Sequence, residues 1–152
     1  MFPVIQFANE PRTVPEDTSL TEAARKMQQW HVGALVVTRD EEPVGMVTDR
    51  DLMLCGILDA SCETTVRECM SVPLVVVPDD ATVHQAVETM RVHGVRRLGI
   101  RAADDTLVGV ISADDVWNHL GVSMGRLSDA IRREFRVEEH PTASRQSFFG
   151  KE

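Results

Sequence analysis

The chain matches itself when shifted by 63 positions. Pro15 then falls on Pro78, Asp17 on Asp80, Leu20 on Val83, Ala23 on Ala86, Met27 on Met90, Val32 on Val95 and Leu35 on Leu98. One inserted residue lengthens the shift to 64, after which Val44-Gly45-Met46-Val47-Thr48 falls on Val108-Gly109-Val110-Ile111-Ser112, Asp51 on Asp115 and Leu52 on Val116. A unit of about 60 residues is marginal alone, so a doubled unit predicts that the two copies share their burial. The 152 residues divide on this reading into a first repeat with leading strand and linker (1–70), a second repeat (71–120), and a C-terminal helix with a flexible tail (121–152).

Periodicity sets the elements within each copy. Leu20, Ala23, Ala24 and Met27 recur at helical spacing, as do Val83, Ala86, Val87 and Met90. Each helix is opened by a capping-box pattern, Ser19 with Glu22 and Thr82 with Gln85. Strands are expected at 34–37 and 44–47, separated by the polar turn 39–43, and again at 98–100 and 107–111. A further helix begins near Thr48 and near Ser112, and leading strands at 12–14 and 75–77 complete each unit. The fold class is α/β (α+β): two β-α-β-β-α repeats packed as a pseudo-twofold pair, plus a C-terminal helix.

Both second helices open on one pattern: Gly, two apolar residues, a hydroxyl, two variable positions and an acid (45–51 and 109–115). A hydroxyl followed three residues later by an acid is a helix-capping arrangement. The same geometry also suits a ligand, because helix N–H groups and the hydroxyl can hold a phosphate while the carboxylate accepts from ribose hydroxyls. Two copies, each after a strand whose glycine lets a ligand approach the backbone, strengthen the second alternative.

These two segments, with the Pro-x-x-Val element at Pro11 and Val14, the linker Val66-Arg67-Glu68-Cys69-Met70 and the run Val95-Arg96-Arg97-Leu98, make the chain resemble a tandem pair of cystathionine-β-synthase (CBS) domains, a Bateman module, over roughly residues 2–120. The resemblance implies two clefts between the repeats that bind adenosine compounds: AMP, ADP, ATP or S-adenosylmethionine. It assigns ribose to Asp51 and Asp115, phosphate to Thr48 and Ser112, and the adenine edge to backbone at Thr13 and Val14 and at Val76 and Val77. Many members carry a proline where this chain has Val36 and Gly99. The first motif keeps Thr48-Asp49-Arg50-Asp51, with Arg50 between its acids, whereas the second reads Ser112-Ala113-Asp114-Asp115. Local charge therefore ranks the Thr48 cleft above the other, unless Arg96 and Arg97 reach phosphates in the second.

Composition bounds the alternatives. With 24 acids against 16 bases, a net charge of −8 has the wrong sign for coating nucleic acid or anionic lipid. The arginine-flanked segment around Leu127, Ile131 and Phe135 keeps a nucleic-acid reading open, opposed by the interleaved Glu134, Glu138 and Glu139. Cys55, Cys62 and Cys69 are odd in number and read as small apolar side chains in a reducing, cytoplasmic compartment. The N-terminus lacks a signal-peptide pattern, and no run of about 18 apolar residues predicts a membrane span. The five histidines form no zinc-binding spacing, and no catalytic constellation is present, so an enzyme is not expected. The expected partners are an adenosine ligand, a regulated protein and a second copy, the homodimer joined through helix faces carrying Leu52, Leu54 and Ile57, and Val116 and Leu120. The alternative is a ligand-free structural or interaction module.

Overall fold

The computed structural model describes residues 3–58 and 64–139, with side chains up to Arg133. Strand β1 (Thr13–Pro15), helix α1 (Leu20–Trp30), β2 (Ala34–Arg39), β3 (Glu42–Thr48) and α2 (Asp49–Leu58) form the first repeat. After a short helix α3 (Val66–Cys69), β4 (Val76–Pro78), α4 (Val83–His93), β5 (Arg97–Arg101), β6 (Leu107–Ser112) and α5 (Ala113–Glu139) form the second. Each repeat has a three-stranded sheet, ordered β1-β2-β3 and β4-β5-β6, parallel across its first pair and antiparallel across its second. The register repeats as the sequence does. Thr13 pairs Val36 as Val76 pairs Gly99, Ala34 pairs Thr48 as Arg97 pairs Ser112, and the ladder shifts at Val37/Thr38 and at Ile100/Arg101. The fold is the expected pair of β-α-β-β-α repeats with a C-terminal helix.

The core repeats as well. Val14, Ala23, Met27, Leu35, Val37, Val47 and Leu52 of the first repeat are buried, and so are Val77, Ala86, Met90, Leu98, Ile100, Ile111 and Val116. Each Val, Leu or Ile so placed contributes about 1.5–3 kcal/mol relative to exposure. Leu52 and Val116, which the sequence assigns to exposed helix faces, are only 8% and 6% exposed. They are core residues, and the exposed apolar side chains lie beside them, at Met53, Leu54, Ile57 and Leu58 on α2 and at Trp117 and Leu120 on α5.

Caps set the helix ends, with one departure from expectation. The Thr82–Gln85 box forms in both directions: the Gln85 N–H donates to Thr82 Oγ1 at 3.2 Å and the Thr82 N–H to Gln85 Oε1 at 2.8 Å. At α1 only the Glu22 N–H to Ser19 Oγ half is made, since the Glu22 carboxylate lies 3.7 Å from Arg25 instead. Both helices end on a left-handed residue, His31 (φ 54°) and Gly94 (φ 65°). The β2–β3 turn is tighter than the sequence indicates: Asp40 and Glu41, both at positive φ, form a two-residue hairpin loop. The segment expected to start a separate helix after residue 120 continues α5 without a break as far as Glu139. The chain forms one compact unit up to Asp115 and a second from Val116 onward. Residues 140–152, assigned from sequence to a tail, lie outside the described residues. None of the described helices is long and apolar enough to cross a membrane.

The segments preceding each sheet exchange partners. A 3-10 turn at Val4–Phe7, not anticipated from sequence, belongs to the second repeat: the Val4 N–H donates to Ala81 O at 2.7 Å, and Asn9 and Val110 exchange backbone hydrogen bonds, both 2.9 Å. Helix α3, expected only as a linker, plays that part for the first repeat: the Val66 N–H donates to Thr18 O at 2.9 Å, and Met46 and Ser71 exchange bonds of 3.0 and 2.9 Å. Val4 and Val66 are both fully buried. Cys69 at the end of α3 and Cys55 in α2 are joined as a disulfide, with Cα atoms 6.1 Å apart. This corrects the reading of both as unpaired apolar side chains. The positions of the cysteines in sequence do not show that α3 folds back beside α2, and Cys62 lies outside the described residues.

Glu16 fastens α3 to the first sheet. It is only 8% exposed and accepts from Arg39 Nε at 2.9 Å, Arg39 Nη2 at 2.7 Å and Arg67 Nη2 at 2.6 Å. The Arg39 hydrogen bonds foremost, opposed by burial and aided by Arg67, hold its carboxyl at about 2 against an ordinary 4.5. A depressed native pKa means that this stabilisation is complete above pH 4.5 and is lost as pH falls through about 2. Thermal melts followed by circular dichroism should therefore show Tm falling across that window in the wild type. Glu16→Gln should start lower at neutral pH and fall less over the same window, and an unchanged acid slope would contradict this assignment.

Candidate functional site

At the start of α2 the hydroxyl–acid motif folds onto itself. Asp51 Oδ2 accepts from the Thr48 N–H at 2.8 Å and from Thr48 Oγ1 at 2.7 Å, while the Asp51 N–H donates back to Thr48 Oγ1 at 3.3 Å. The start of α5 repeats this with Ser112 and Asp115 at 2.8, 2.6 and 3.1 Å. Both are complete capping boxes, so the structural alternative raised by the spacing is satisfied in both copies. Among the described residues, the second carboxylate oxygen, Oδ1, makes no hydrogen bond in either motif and remains an available acceptor.

Each motif lies at a cleft whose remaining walls come largely from the other repeat. The Thr48–Asp51 cleft, about 400 Å³, is completed by Ser71 and Pro73 to Val75 and by the α4–β5 loop, Gly94 to Arg97. The Ser112–Asp115 cleft, about 580 Å³, is completed by Asn9, Glu10 and Arg12 and by the α1–β2 loop, Trp30 to Ala34. Residues 31–34 and 94–97 correspond under the 63-residue shift, so the clefts are copies of one design. Both volumes are in the range of small-molecule sites.

The clefts gather some of the residues expected to meet a ligand and leave out others. Thr48, Arg50, Asp51, Arg96 and Arg97 share the first cleft; Ser112, Asp115 and Arg97 share the second. Val14 is fully buried, Thr13 lines a separate groove with Glu41 and Glu42, and Val76 and Val77 border another beside α4. The stretch of chain that lines the clefts lies a few residues earlier, at Asn9, Glu10 and Arg12 and at Ser71, Pro73, Leu74 and Val75. Sequence reasoning missed it because Asn9-Glu10-Pro11-Arg12 and Val72-Pro73-Leu74-Val75 share no residue under the repeat shift.

The charges are also distributed differently from the linear order. Asp114, which the sequence places beside Asp115, faces the Thr48–Asp51 cleft and is held 3.2 Å from Arg96. That cleft thus sets Arg50, Arg96 and Arg97 against Asp49, Asp51 and Asp114. The other sets Arg12 and Arg97 against Glu10 and Asp115. Apolar walls separate the two further: Met46, Pro73, Leu74, Val75 and Val95 in the first, Trp30, Val32, Ala34 and Val110 in the second. The Trp30 ring already carries Arg12 at 5.5 Å and Lys26 at 5.2 Å from its centroid.

The motif glycines admit protein rather than ligand. A Cβ on Gly45 would sit 2.6 Å from Ser71 O, and one on Gly109 would sit 2.8 Å from the Ala8 side chain. The close approach inferred from these glycines is made by the exchanged segments.

Paired β-α-β-β-α repeats with two pseudo-equivalent inter-repeat clefts define the architectural class. The chain belongs to the CBS domain family, whose sequence profile matches twice, over residues 5–56 and 66–116. It is 32% identical over 111 residues to hypoxic response protein 1 of Mycobacterium tuberculosis, covering 70% of this chain and 76% of that one. An uncharacterised protein of Methanopyrus kandleri is 32% identical over 105 residues, which span 67% of this chain but about half (53%) of the relative. Among solved structures, a CBS domain protein of Pyrobaculum aerophilum complexed with AMP superposes with a TM-score of 0.68 at 26% identity, covering 75% of this chain and 89% of that one.

The Gly45 contact generates a test. In Gly45→Ala the new methyl group meets a backbone carbonyl, so the Met46–Ser71 bridge must shift. Chemical denaturation should show a loss of about 1–3 kcal/mol, the usual cost of overpacking. Gly56→Ala, where a Cβ in the last turn of α2 meets nothing within 4 Å, should cost no stability. Equal effects from the two substitutions would remove the argument.

Proposed function

We propose that this chain is a non-catalytic regulatory module that binds an adenosine compound, AMP, ADP, ATP or S-adenosylmethionine, in the clefts between its repeats. Bound ligand favours one arrangement of the repeats, and so signals to a regulated protein. The Thr48–Asp51 cleft carries this reading. It combines an unengaged carboxylate oxygen for ribose hydroxyls, an apolar slot between Met46, Pro73 and Val95 for the base, and Arg96 and Arg97 for phosphate. The AMP complex of the Pyrobaculum relative supports the ligand class. A cytoplasmic location follows from that ligand. For adenine the backbone at 71–75 replaces Val76 and Val77, and that at 9–12 replaces Thr13 and Val14.

A second reading, a ligand-free interaction module, has one observation in its favour. The N–H groups of Thr48, Asp49, Arg50 and Asp51, leading into α2, are already occupied, by Asp51 Oδ2, Gly33 O, Asp49 Oδ1 and Thr48 Oγ1 in turn. Phosphate there would have to displace Asp49 or rely on the arginines.

Thermal-shift assays separate the readings. Ligand at about 100 times its dissociation constant stabilises by roughly 2.7 kcal/mol per site, which for a chain of this size raises Tm by about 5–11 °C. AMP, ADP, ATP or S-adenosylmethionine should produce such a shift and GTP should not; no shift with any adenosine compound favours the ligand-free module. In calorimetry, Asp51→Asn, which keeps an oxygen for the Thr48 cap, should weaken the tighter phase by about tenfold, while Asp115→Asn leaves it in place.

We further propose a homodimer that covers the apolar side chains of α2 (Met53, Leu54, Ile57, Leu58) and of α5 (Trp117, Leu120), all more than 40% exposed. Light scattering should report about 34 kDa, twice the 16.9 kDa of one chain, and Ile57→Glu with Leu120→Glu should halve it. A wild-type mass of one chain would end this part of the proposal.

A further inference from the structure

We propose that Cys55 and Cys69 are a reversible thiol-modification site that clamps the wall of one cleft and leaves the other alone. The placement carries the inference. Cys55 stands one helical turn after Asp51, at the i, i+4 spacing that puts both on one face of α2. Cys69 ends α3, and two residues later Ser71 enters the same cleft as its opposite wall. The bond therefore joins the helix that carries the acid to the segment that faces it. Its Cα separation of 6.1 Å is in the ordinary disulfide range, so bonded and reduced forms need no different backbone. Both residues are half-buried, so neither is sealed in the core.

The second cleft has no such clamp. The position matching Cys55 in the second repeat is His119, and the second repeat contains no cysteine at all. Oxidation would thus act on the Thr48–Asp51 cleft alone, and the Ser112–Asp115 cleft is an internal control.

The chemistry is thiol–disulfide exchange with a low-molecular-weight disulfide. One cysteine thiolate attacks a sulfur of that disulfide, forming a mixed disulfide and releasing one small thiol; the second cysteine then displaces the other. The two cysteines lose two electrons and two protons overall, and the small disulfide is reduced to two thiols. In a compartment whose thiol pool is reducing, the pair rests as dithiol and closes under oxidation, the usual role of a cytosolic disulfide. With the bond closed, the wall at 71–75 is held in its binding position and ligand pays less ordering entropy.

The test uses the full chain carrying Cys62→Ser, so that exchange is confined to the pair. Glutathione disulfide should remove both free thiols and lower the mass by about 2 Da, and dithiothreitol should reverse both changes. Amide exchange at Ser71 and Leu74, whose N–H groups bond Met46 O and Val44 O, should slow by about tenfold in the oxidised form while that at Asn9 is unchanged. The effect on ligand rests on the nucleotide reading. AMP should bind the Thr48–Asp51 cleft at least roughly fivefold tighter when oxidised, with Asp115→Asn used to isolate that cleft. Cys55→Ser should keep the reduced affinity in either buffer. Stable glutathione adducts in place of an internal bond would overturn the modification site. Equal amide exchange in both redox forms would overturn the clamp. Absence of AMP binding together with a redox-dependent change at Ser71 and Leu74 would remove the nucleotide reading and support the clamp.

Discussion

The exchange of leading segments is the constraint on which the rest of this fold depends. Met46 and Ser71 pair across the edge of the first sheet, and Asn9 and Val110 across the edge of the second. Each sheet has only three strands and would otherwise leave β3 or β6 with unpaired backbone groups. The segment that covers β6 precedes the first repeat in the chain, and the one that covers β3 precedes the second. Neither repeat is therefore closed without chain that leads into the other. Gly45 and Gly109 are what the exchange requires, because any side chain there would stand where Ser71 O or Ala8 now lies.

That constraint explains how much could be read from sequence. The elements, their order and nearly all of the core follow from periodicity, because apolar spacing reports which face of a helix or strand is buried. Leu52 and Val116 were misplaced because periodicity alone does not rank adjacent apolar residues, and Met53 and Leu54 beside Leu52 are as apolar as it is. The exchange was not legible at all. A backbone hydrogen bond places no demand on side-chain identity, so residues 9–12 and 71–75 could diverge completely while performing the same task. The motif residues Thr48, Asp51, Ser112 and Asp115 were legible because a cap does demand particular side chains. Their part in a cleft could not be separated from their part in the cap, since the same oxygen atoms serve both.

The overlap of cap and site has an energetic consequence. Replacing a capping residue by alanine costs about 0.5–2 kcal/mol of helix stability, so a ligand that borrowed Thr48 Oγ1 or Asp51 Oδ2 would forfeit part of its own binding energy. A ligand using Asp51 Oδ1 and the arginines instead leaves the cap intact. The arrangement therefore favours recognition through the free carboxylate oxygen and through side chains of the opposite repeat, which also makes occupancy depend on how the two repeats sit together. On the proposed nucleotide reading, ligand shifts that arrangement only by its differential affinity for it, which contacts from both repeats would supply.

The two clefts are copies in backbone but not in chemistry, and the divergence is concentrated where the repeats face one another. Arg97 Nη2 lies 3.4 Å from where a Cβ on Gly33 would stand, beside Asp49 Oδ2 at 3.3 Å, so the arginine crosses from the second repeat toward the first. Its counterpart under the repeat shift is Ala34, which cannot cross back. Arg97 consequently borders both clefts, whereas Arg96 borders one and is held there by Asp114. Any anion that draws Arg97 fully into one cleft removes positive charge from the other. On the proposed nucleotide reading, two phosphates drawing on this one cation would bind with negative coupling, and by linkage the effect would be equal in both directions.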